Sequence, residues 1–323
     1  MILDRRKAKG LSRIGSRAAY GMTLFELAPE YDDLMVVTAD TSTSAGLDRF
    51  RNTFPEKYVD VGIAEQNAMG VAAGLASEGM TVALSTFAPF QTMRCCEQIK
   101  VNLGYMKHKV VFTGLASGVV LGTLGYTHCC IEDMAVMRAI PNITVLSPAD
   151  CGETAKAVEA ALNHHQSVYI RLTGGSPNPP VYTEDYDFEI GKAVKLREGS
   201  DVGIIATGTM VHPALKAAEI LAEDGIDAAV INMHTIKPID TDTVKELSES
   251  TKLIATVEEH SLIGGLGSAV AEAKAPLRNA PPQIMMGISD SYDKAGDYGD
   301  ILEHYGLTAE HIADKVKADY SSL

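Results

Sequence analysis

A glutamate opens a helix that is otherwise built from small and apolar residues. In "YVDVGIAEQNAMGVAAGLASEG", residues 58–79, Glu65 follows a strand-like run and begins a stretch rich in Ala, Gly, Val, Leu and Met. Open α/β sheets place their ligand sites where a strand ends and a helix begins. Two interpretations are open at this point: Glu65 caps the helix and interacts with its dipole, or it performs acid–base chemistry away from water.

Two further side chains combine a reactive type with a suitable position. His128 lies in "GYTHCCIED", a loop that runs into a helix, where an imidazole can relay a proton, although a loop histidine is often only solvated. Arg171 ends the strand-like run "YIRL", and its guanidinium offers the two-pronged hydrogen bonding that phosphate favours. The chain has a formal net charge of −14, so an anionic substrate needs such a local cation.

Apolar runs of strand length alternate with helical patterns and must position these residues. The runs in the first half lack polar alternation, which is typical of strands buried on both faces of a parallel sheet. They are "LMVVTAD", "TVALSTF", "KVVFTGL", "ITVLSP" and "SVYIRL", and the pattern restarts with "DVGIIATG", "DAAVINM", "KLIATVEE" and "QIMMGIS". We therefore predict an α/β protein with two mostly parallel-sheet domains, residues 1–175 and 191–323, joined by a Pro- and Gly-containing linker at 176–190.

Composition narrows the class of protein. At 323 residues and 46% hydrophobic content, the chain can form two domains with separate cores. It has no apolar run of the roughly 18 residues that a membrane helix needs and no apolar signal-peptide region, so we predict a cytoplasmic protein without a membrane partner. The acidic charge argues against a nucleic-acid partner.

The five cysteines of the chain include two adjacent pairs, which is neither disulfide nor zinc spacing. We therefore predict reduced thiols and no metal site.

Several longer stretches resemble the transketolase family. "FPEKYVDVGIAEQNAMGVAAGLASEG", "STFAPFQTMRCCEQI", "GYTHCCIEDMAVMRAIPNITVLSPAD" and "YIRL" are similar to its pyrimidine-binding domain. "EEHSLIGGLGSAVAEA" and "GISDSYDKAGDYGDILEHYGLTAEHIA" are similar to its C-terminal domain. The resemblance covers essentially the whole chain, and it implies a thiamine diphosphate-binding fold followed by a transketolase C-terminal domain.

The resemblance implies a role for each candidate residue. Glu65 corresponds to the glutamate that hydrogen-bonds N1′ of the aminopyrimidine ring of thiamine diphosphate and so promotes removal of the C2 proton. Phe87 and Phe90 correspond to aromatics that pack against that ring, although a core role is the default for two phenylalanines. His128 corresponds to a substrate-facing histidine, and Arg171 to the arginine that binds the sugar phosphate.

Three residues closely follow the aromatic pair in the sequence. Met93 stands where many transketolases have a further aromatic, so that part of the pocket is altered. Arg94 and Glu97 are predicted to lie on one helix, as an ion pair or a subunit contact rather than as catalytic groups.

Two departures from the family concern substrate recognition. Transketolases carry an aspartate and a histidine that bind donor hydroxyls where this chain has Leu124 and Ala116. A site that lacks these polar partners discriminates weakly between sugars that carry the donor hydroxyls and sugars that do not. The resemblance therefore implies a phosphorylated sugar substrate that differs from xylulose 5-phosphate, with apulose 4-phosphate as one possibility.

A third departure concerns the missing half of the enzyme. The family holds the cofactor's diphosphate and Mg²⁺ with a Gly-Asp-Gly sequence and a later asparagine, and no such pair occurs here. We therefore predict a C-terminal subunit that needs an N-terminal partner subunit carrying the metal ligands, in an α2β2 heterotetramer. A non-catalytic regulatory subunit is the alternative. The "GGLGS" segment alone is weak support for a nicotinamide oxidoreductase, because the rest of the dinucleotide fingerprint is missing.

Overall fold

Short parallel strands and their connecting helices build the molecule, whose computed structural model describes residues 3–323. The strands of this part are β1 (Leu34–Thr38), β2 (Tyr58–Asp60), β3 (Thr81–Phe87), β4 (Val110–Leu115), β5 (Ile143–Leu146), β6 (Ser167–Arg171), β7 (Val194–Arg197), β8 (Val202–Ala206), β9 (Ala228–Asn232), β10 (Thr235–Lys237), β11 (Leu253–Ser261) and β12 (Gln283–Ile288). The α-helices are α1 (Arg5–Ile14), α2 (Ser16–Leu27), α3 (Asp48–Thr53), α4 (Glu65–Ser77), α5 (Ala88–Thr92), α6 (Cys96–Gln98), α7 (Asp133–Ala139), α8 (Cys151–Asn163), α9 (Val211–Glu223), α10 (Thr241–Ser250), α11 (Leu266–Lys274), α12 (Tyr298–His304) and α13 (Ala309–Tyr320). A π-helix, Ile99–Tyr105, continues α6.

Two sheets organise these elements. The first has seven strands in the order β10-β5-β6-β4-β3-β1-β2, and the second has five in the order β12-β11-β8-β9-β7. All neighbouring strands are parallel except the pairs β10–β5 and β7–β9. The predicted α/β fold with two mostly parallel sheets is therefore confirmed.

The central strands of the first sheet are buried along their whole length. Every residue of β4, β5 and β6 is buried, as expected for apolar runs covered by helices on both faces. Because parallel strands run in one direction, the carboxyl ends of β3, β4 and β6 lie at one edge of the sheet. This edge carries Phe87 and Arg171, the last residues of β3 and β6.

Strand β10 connects the two halves of the chain. It comes from the second half, yet it pairs with β5 at the end of the first sheet, with Thr235 opposite Leu146. Ser147 continues the contact by donating from its backbone N–H to the His234 carbonyl at 2.8 Å. The domain bounds at 175 and 191 remain a prediction. The first sheet is not confined to residues before 175, because it includes β10.

Helix α4 presents two different faces. Ala68, Met69 and Ala72 are buried against the sheet, whereas Gly70 and Gly74 are exposed, and a Cβ atom added at either would meet nothing within 4 Å. The outer face of α4 is therefore flat and accessible to another molecule. No helix among residues 3–323 combines the length and apolar character needed to cross a membrane.

Candidate active site

Glu65 occupies the first turn of α4 as a nearly buried carboxylate. Its side chain is 5% exposed, and Oε2 accepts a hydrogen bond from Arg94 Nη1 at 2.7 Å. The residue before it, Ala64, provides no side-chain cap, and within residues 3–323 Glu65 accepts no hydrogen bond from the helix backbone. Oε1 makes no hydrogen bond in that same part of the chain. Capping of the helix by the Glu65 side chain is thus not supported, whereas its place in the first turn is compatible with interaction with the helix dipole. One carboxylate oxygen is available to a ligand.

Arg94 has a different partner from the expected one. The chain turns at residues 93–95 between α5 and α6, so Arg94 and Glu97 do not lie on one continuous helix. Arg94 pairs with Glu65, and its guanidinium carbon lies 4.0 Å from the Phe90 ring centroid. The expected ion pair with Glu97 is wrong, because this turn directs Arg94 toward the start of α4. The alternative, a subunit contact, stays a prediction. An aromatic face and a carboxylate together fix the guanidinium.

A series of ring contacts extends from this ion pair. Phe87 and Phe90 meet edge to face with centroids 6.5 Å apart, and Phe90 meets His128 in the same way at 5.6 Å. His128 Nδ1 is 3.0 Å from Thr127 Oγ1, and Nε2 makes no hydrogen bond to any residue that the structure describes. The structure therefore brings Glu65, Phe90 and His128 into one continuous set of contacts.

The two positions linked to substrate choice lie in different environments. Leu124 is 56% exposed in the loop that carries His128, whereas Ala116 is buried with a left-handed φ of 53°. Leu124 can therefore contact a ligand over the surface of the loop. Ala116 presents almost no surface, so the expectation that it lines an open donor site is not supported by its burial.

Arg171 lies in a closed environment. Its side chain is 1% exposed, and Nε lies 2.9 Å from both carboxylate oxygens of the fully buried Asp133. Nη2 donates to the Glu259 carbonyl at 2.8 Å. Burial acts to lower the pKa of Arg171, but the charges of Asp133 and Glu259 outweigh it and raise the pKa above its usual value. The predicted phosphate contact is not supported, because protein groups already hold this guanidinium.

The acidic residues around Arg171 were not predicted from the sequence. Asp133 begins α7, and Glu258 and Glu259 are adjacent in β11. Burial raises the pKa of Glu259, an effect that the charge of Arg171 opposes, and burial raises the pKa of Glu258 to about 7. The available signal was the acidic pair inside the apolar run "KLIATVEE", since a charged residue within a buried strand requires a partner.

All five cysteines are free, as predicted. Burial raises the pKa of the Cys95 and Cys151 thiols to about 12 and that of Cys129 to about 11, so these thiols stay protonated near neutral pH. Among residues 3–323, no group of three or more His, Cys, Asp or Glu side chains is arranged to hold a metal ion.

Comparison with known proteins identifies the family. The transketolase pyrimidine-binding domain matches residues 12–177, and the transketolase C-terminal domain matches residues 191–312. The chain belongs to the transketolase family. Dependence on thiamine diphosphate is therefore the family expectation for this site, and Glu65, Phe87 and Phe90 are placed on the matched pyrimidine-binding domain.

Individual relatives are similar over nearly their full length. The chain is 39% identical to one subunit of the apulose-4-phosphate transketolase of Phocaeicola vulgatus, over 93% of this chain and 95% of that protein. It is also 39% identical to the 6-deoxy-6-sulfo-D-fructose transketolase subunit SqwH of Clostridium sp. (strain MSTE9), over 92% of this chain and 91% of that protein. A solved structure described as a split-gene transketolase, an inactive β4 tetramer, matches with a TM-score of 0.85 and 40% identity, over 95% of this chain and 98% of that one.

Proposed function

We propose that this chain is the C-terminal subunit of a split, thiamine diphosphate-dependent transketolase. Together with an N-terminal partner it transfers a two-carbon ketol group from a ketose donor to an aldose or ketone acceptor. The observation that carries the proposal is the state of Glu65: a nearly buried carboxylate with Oε2 paired to Arg94 and Oε1 without a partner among residues 3–323. Such a group can hold a proton against a ring nitrogen.

The residues of the site fit the aminopyrimidine part of this cofactor. Arg94 fixes the orientation of the Glu65 carboxylate through Oε2, so that Oε1 is the oxygen that shares a proton with a ligand. Phe87 and Phe90 supply apolar ring edges beside it, which suits a flat heterocycle. When bound, thiamine diphosphate supplies the carbon nucleophile of the reaction.

His128 is the proposed substrate-facing group. Because Nδ1 lies within hydrogen-bond distance of Thr127, the ring orientation is fixed and Nε2 is left to bind or exchange a proton with a substrate oxygen. Leu124 lies on the same loop, exposed, and supplies an apolar contact. We retain apulose 4-phosphate as the candidate donor, and a relative named for that sugar supports it. A relative with equal identity is named for a sulfonated sugar, so overall identity does not select between them.

The diphosphate and Mg²⁺ are assigned to the partner subunit. This chain has no Gly-Asp-Gly sequence followed by a suitably placed asparagine. Relatives of similar length are named as transketolase subunits, which supports the division of the enzyme between two chains. We propose that an α2β2 heterotetramer forms and that the flat outer face of α4, including Gly70 and Gly74, contributes to its contacts.

Reconstitution tests the proposal. Calorimetry with thiamine diphosphate and Mg²⁺ is carried out on the isolated chain and on the chain mixed with its cognate N-terminal subunit, and ketol transfer between sugar phosphates is measured in both. We expect weak binding and no turnover for the isolated chain, and tight binding with turnover for the mixture. Turnover by the isolated chain would contradict the split enzyme, and a mixture that binds without turnover would indicate a regulatory subunit.

A further inference from the structure

The loop of residues 118–130, which carries Leu124 and His128, is closed at its base. Gly118 and Cys130 exchange both backbone hydrogen bonds, at 2.8 and 2.9 Å. Within the loop, His128 and Cys129 donate to the Gly125 carbonyl, each at 3.0 Å. These local bonds define the shape of the loop but do not attach it to the rest of the protein.

Glu259, from the second sheet, attaches the loop to the C-terminal half of the chain. Its Oε1 accepts from the Val119 backbone N–H at 2.8 Å. Its Oε2 accepts from the hydroxyl groups of Thr209 at 2.8 Å and Tyr298 at 2.7 Å. The side chain is 1% exposed, so one carboxylate joins the loop to two elements of the C-terminal half away from water.

The loop has no side chain where Glu259 approaches it. Gly118 has a φ of +72°, and a Cβ atom built there would lie 2.1 Å from Glu259 Oε1. Two further contacts come from the same half of the chain: Gly296 donates to the Gly122 carbonyl at 3.1 Å, and the hydroxyl groups of Tyr126 and Tyr305 lie 2.7 Å apart. Of these three attachments, the one made by Glu259 uses a fully buried carboxyl group.

We propose that Glu259 is a positioning residue for the 118–130 loop. It holds the loop at Val119 so that His128 and Leu124 are presented at the site beside Glu65, although Glu259 itself touches no substrate. The C-terminal half of the chain thereby fixes the substrate-facing part of the first half. Only the kinetic part of this inference rests on the proposed function.

Hydrogen–deuterium exchange on the full isolated chain tests the attachment directly. Glu259→Ala removes the acceptor of the Val119 N–H, and we expect amide exchange in residues 119–129 to rise about ten-fold or more. The matched control is Glu258→Ala: this neighbouring buried carboxylate accepts from Leu266 and Gly267 at the start of α11 and does not contact the loop. Equal loop exchange in the two variants would overturn the proposal.

A second pair of variants alters the loop side of the contact with Glu259. Gly118→Ala pushes a methyl group toward Glu259, whereas Gly125→Ala has the same backbone penalty, with a φ of +74° and its nearest neighbour at 4.0 Å. We expect Gly118→Ala alone to raise exchange at Val119. If Glu259→Ala fails to fold, the two glycine variants test the positioning role in its place. Equal exchange at Val119 in these two variants would refute that role.

Kinetics in the reconstituted complex separates positioning from general destabilisation. For Glu259→Ala we expect the KM of the donor to rise about ten-fold while cofactor C2 hydrogen exchange keeps its wild-type rate, because that step depends on Glu65. Glu259→Gln can still accept from Val119 through its carbonyl oxygen and should restore most of the donor affinity. An unchanged KM in Glu259→Ala would contradict the inference. If the wild-type complex shows no transfer, the proposed function fails, and the exchange measurements still decide the role of Glu259.

Discussion

Two arginine–carboxylate pairs, Arg94–Glu65 and Arg171–Asp133, differ in what surrounds them. In the rim cluster, defined as Glu65, Phe90, Arg94 and His128, the arginine is 44% exposed and Glu65 keeps one oxygen without a partner among residues 3–323. In the boundary cluster, defined as Asp133, Arg171, Glu258 and Glu259, every one of these side chains is buried and hydrogen-bonded within the chain.

This difference in exposure distinguishes a pair that can contact a ligand from a pair that stabilises the fold. A buried ion pair that makes further hydrogen bonds within the chain holds structural elements together, and removing one partner leaves an uncompensated charge. A partly exposed pair contributes little to stability, since solvent screens it, but it leaves atoms available for a ligand. Both clusters contain an arginine beside a carboxylate, so the exposure of the arginine, rather than the pairing itself, distinguishes the two clusters.

The largest expected effect comes from Glu65 in the rim cluster. Glu65→Gln keeps the size of the side chain and a hydrogen bond but removes the ionisable proton. We expect cofactor C2 hydrogen exchange in the reconstituted complex to slow by about 10²- to 10⁴-fold. The thermal stability of the free chain should change little. Glu97→Gln, an exposed carboxylate nearby, is the control. Unchanged exchange in Glu65→Gln would remove this residue from the mechanism.

The second prediction compares the two arginines by stability. Arg171→Ala leaves Asp133 buried without its partner, and we expect a loss of about 3–5 kcal/mol in the free energy of unfolding. Arg94→Ala removes an arginine that is 44% exposed, so water can reach the Glu65 carboxylate left behind, and we expect a smaller loss than for Arg171→Ala. Urea unfolding of the free chain measures both. Similar losses for the two variants would show that exposure does not distinguish the clusters.

The third prediction concerns pH and a buried histidine near the boundary. His234 precedes β10 and stacks on Phe188 with ring centroids 4.3 Å apart. Burial lowers its pKa from 6.5 to about 4, an effect that the charge of Asp240 opposes. The unfolded chain therefore binds a proton that the folded chain excludes, so the stability present above pH 6.5 is lost as the pH falls toward 4.

The expected size of the pH effect follows from the same shift. At pH 5 the loss attributable to His234 should be about 2 kcal/mol, because each pKa unit corresponds to about 1.4 kcal/mol. The free energy of unfolding is measured at pH 7 and pH 5 in the wild type and in His234→Gln. His260, whose pKa burial also lowers to about 4, titrates in both proteins. An equal loss in both proteins would mean that protonation of His234 does not distinguish the folded from the unfolded chain.

The sequence predicted the fold well because the fold depends on local patterns. Apolar runs without alternation become the fully buried strands β4, β5 and β6, and Glu65 opens α4 where a strand-to-helix transition was predicted. The strand-like run predicted before Glu65 contains β2. The four-residue strand β7 and the three-residue strand β10 were missed, since such short segments have little periodicity to detect. Pairing of β10 with β5 is a long-range contact that no local pattern encodes.

Side-chain partners were harder to predict for the same reason. Arg94 has Glu97 three residues away in sequence, but its partner, Glu65, is 29 residues away. Arg171 suggested a phosphate site by its position at the end of a strand, and only the folded chain shows Asp133 occupying its guanidinium. Glu259 reaches Val119 across 140 residues. Residue type and local position indicated candidates, and tertiary packing decided which of them remain accessible.

The smallest expected effect is that of substituting Leu124, the exposed loop residue that we link to substrate choice. Its side chain is exposed, so Leu124→Asp removes little core packing. If the loop meets the donor, the new carboxylate can accept one hydrogen bond from a hydroxyl, worth about 0.5–1.5 kcal/mol, or roughly two- to ten-fold in kcat/KM. We compare xylulose 5-phosphate with apulose 4-phosphate in the reconstituted complex, and use Thr123→Asp, an exposed neighbour, as the control for added charge. The wild type should prefer the branched donor, and Leu124→Asp should shift the ratio toward xylulose 5-phosphate while Thr123→Asp leaves it unchanged. A wild type that already prefers xylulose 5-phosphate, together with no gain in Leu124→Asp, would mean that another group binds the donor hydroxyls, and the substrate assignment would fail while the family assignment stands.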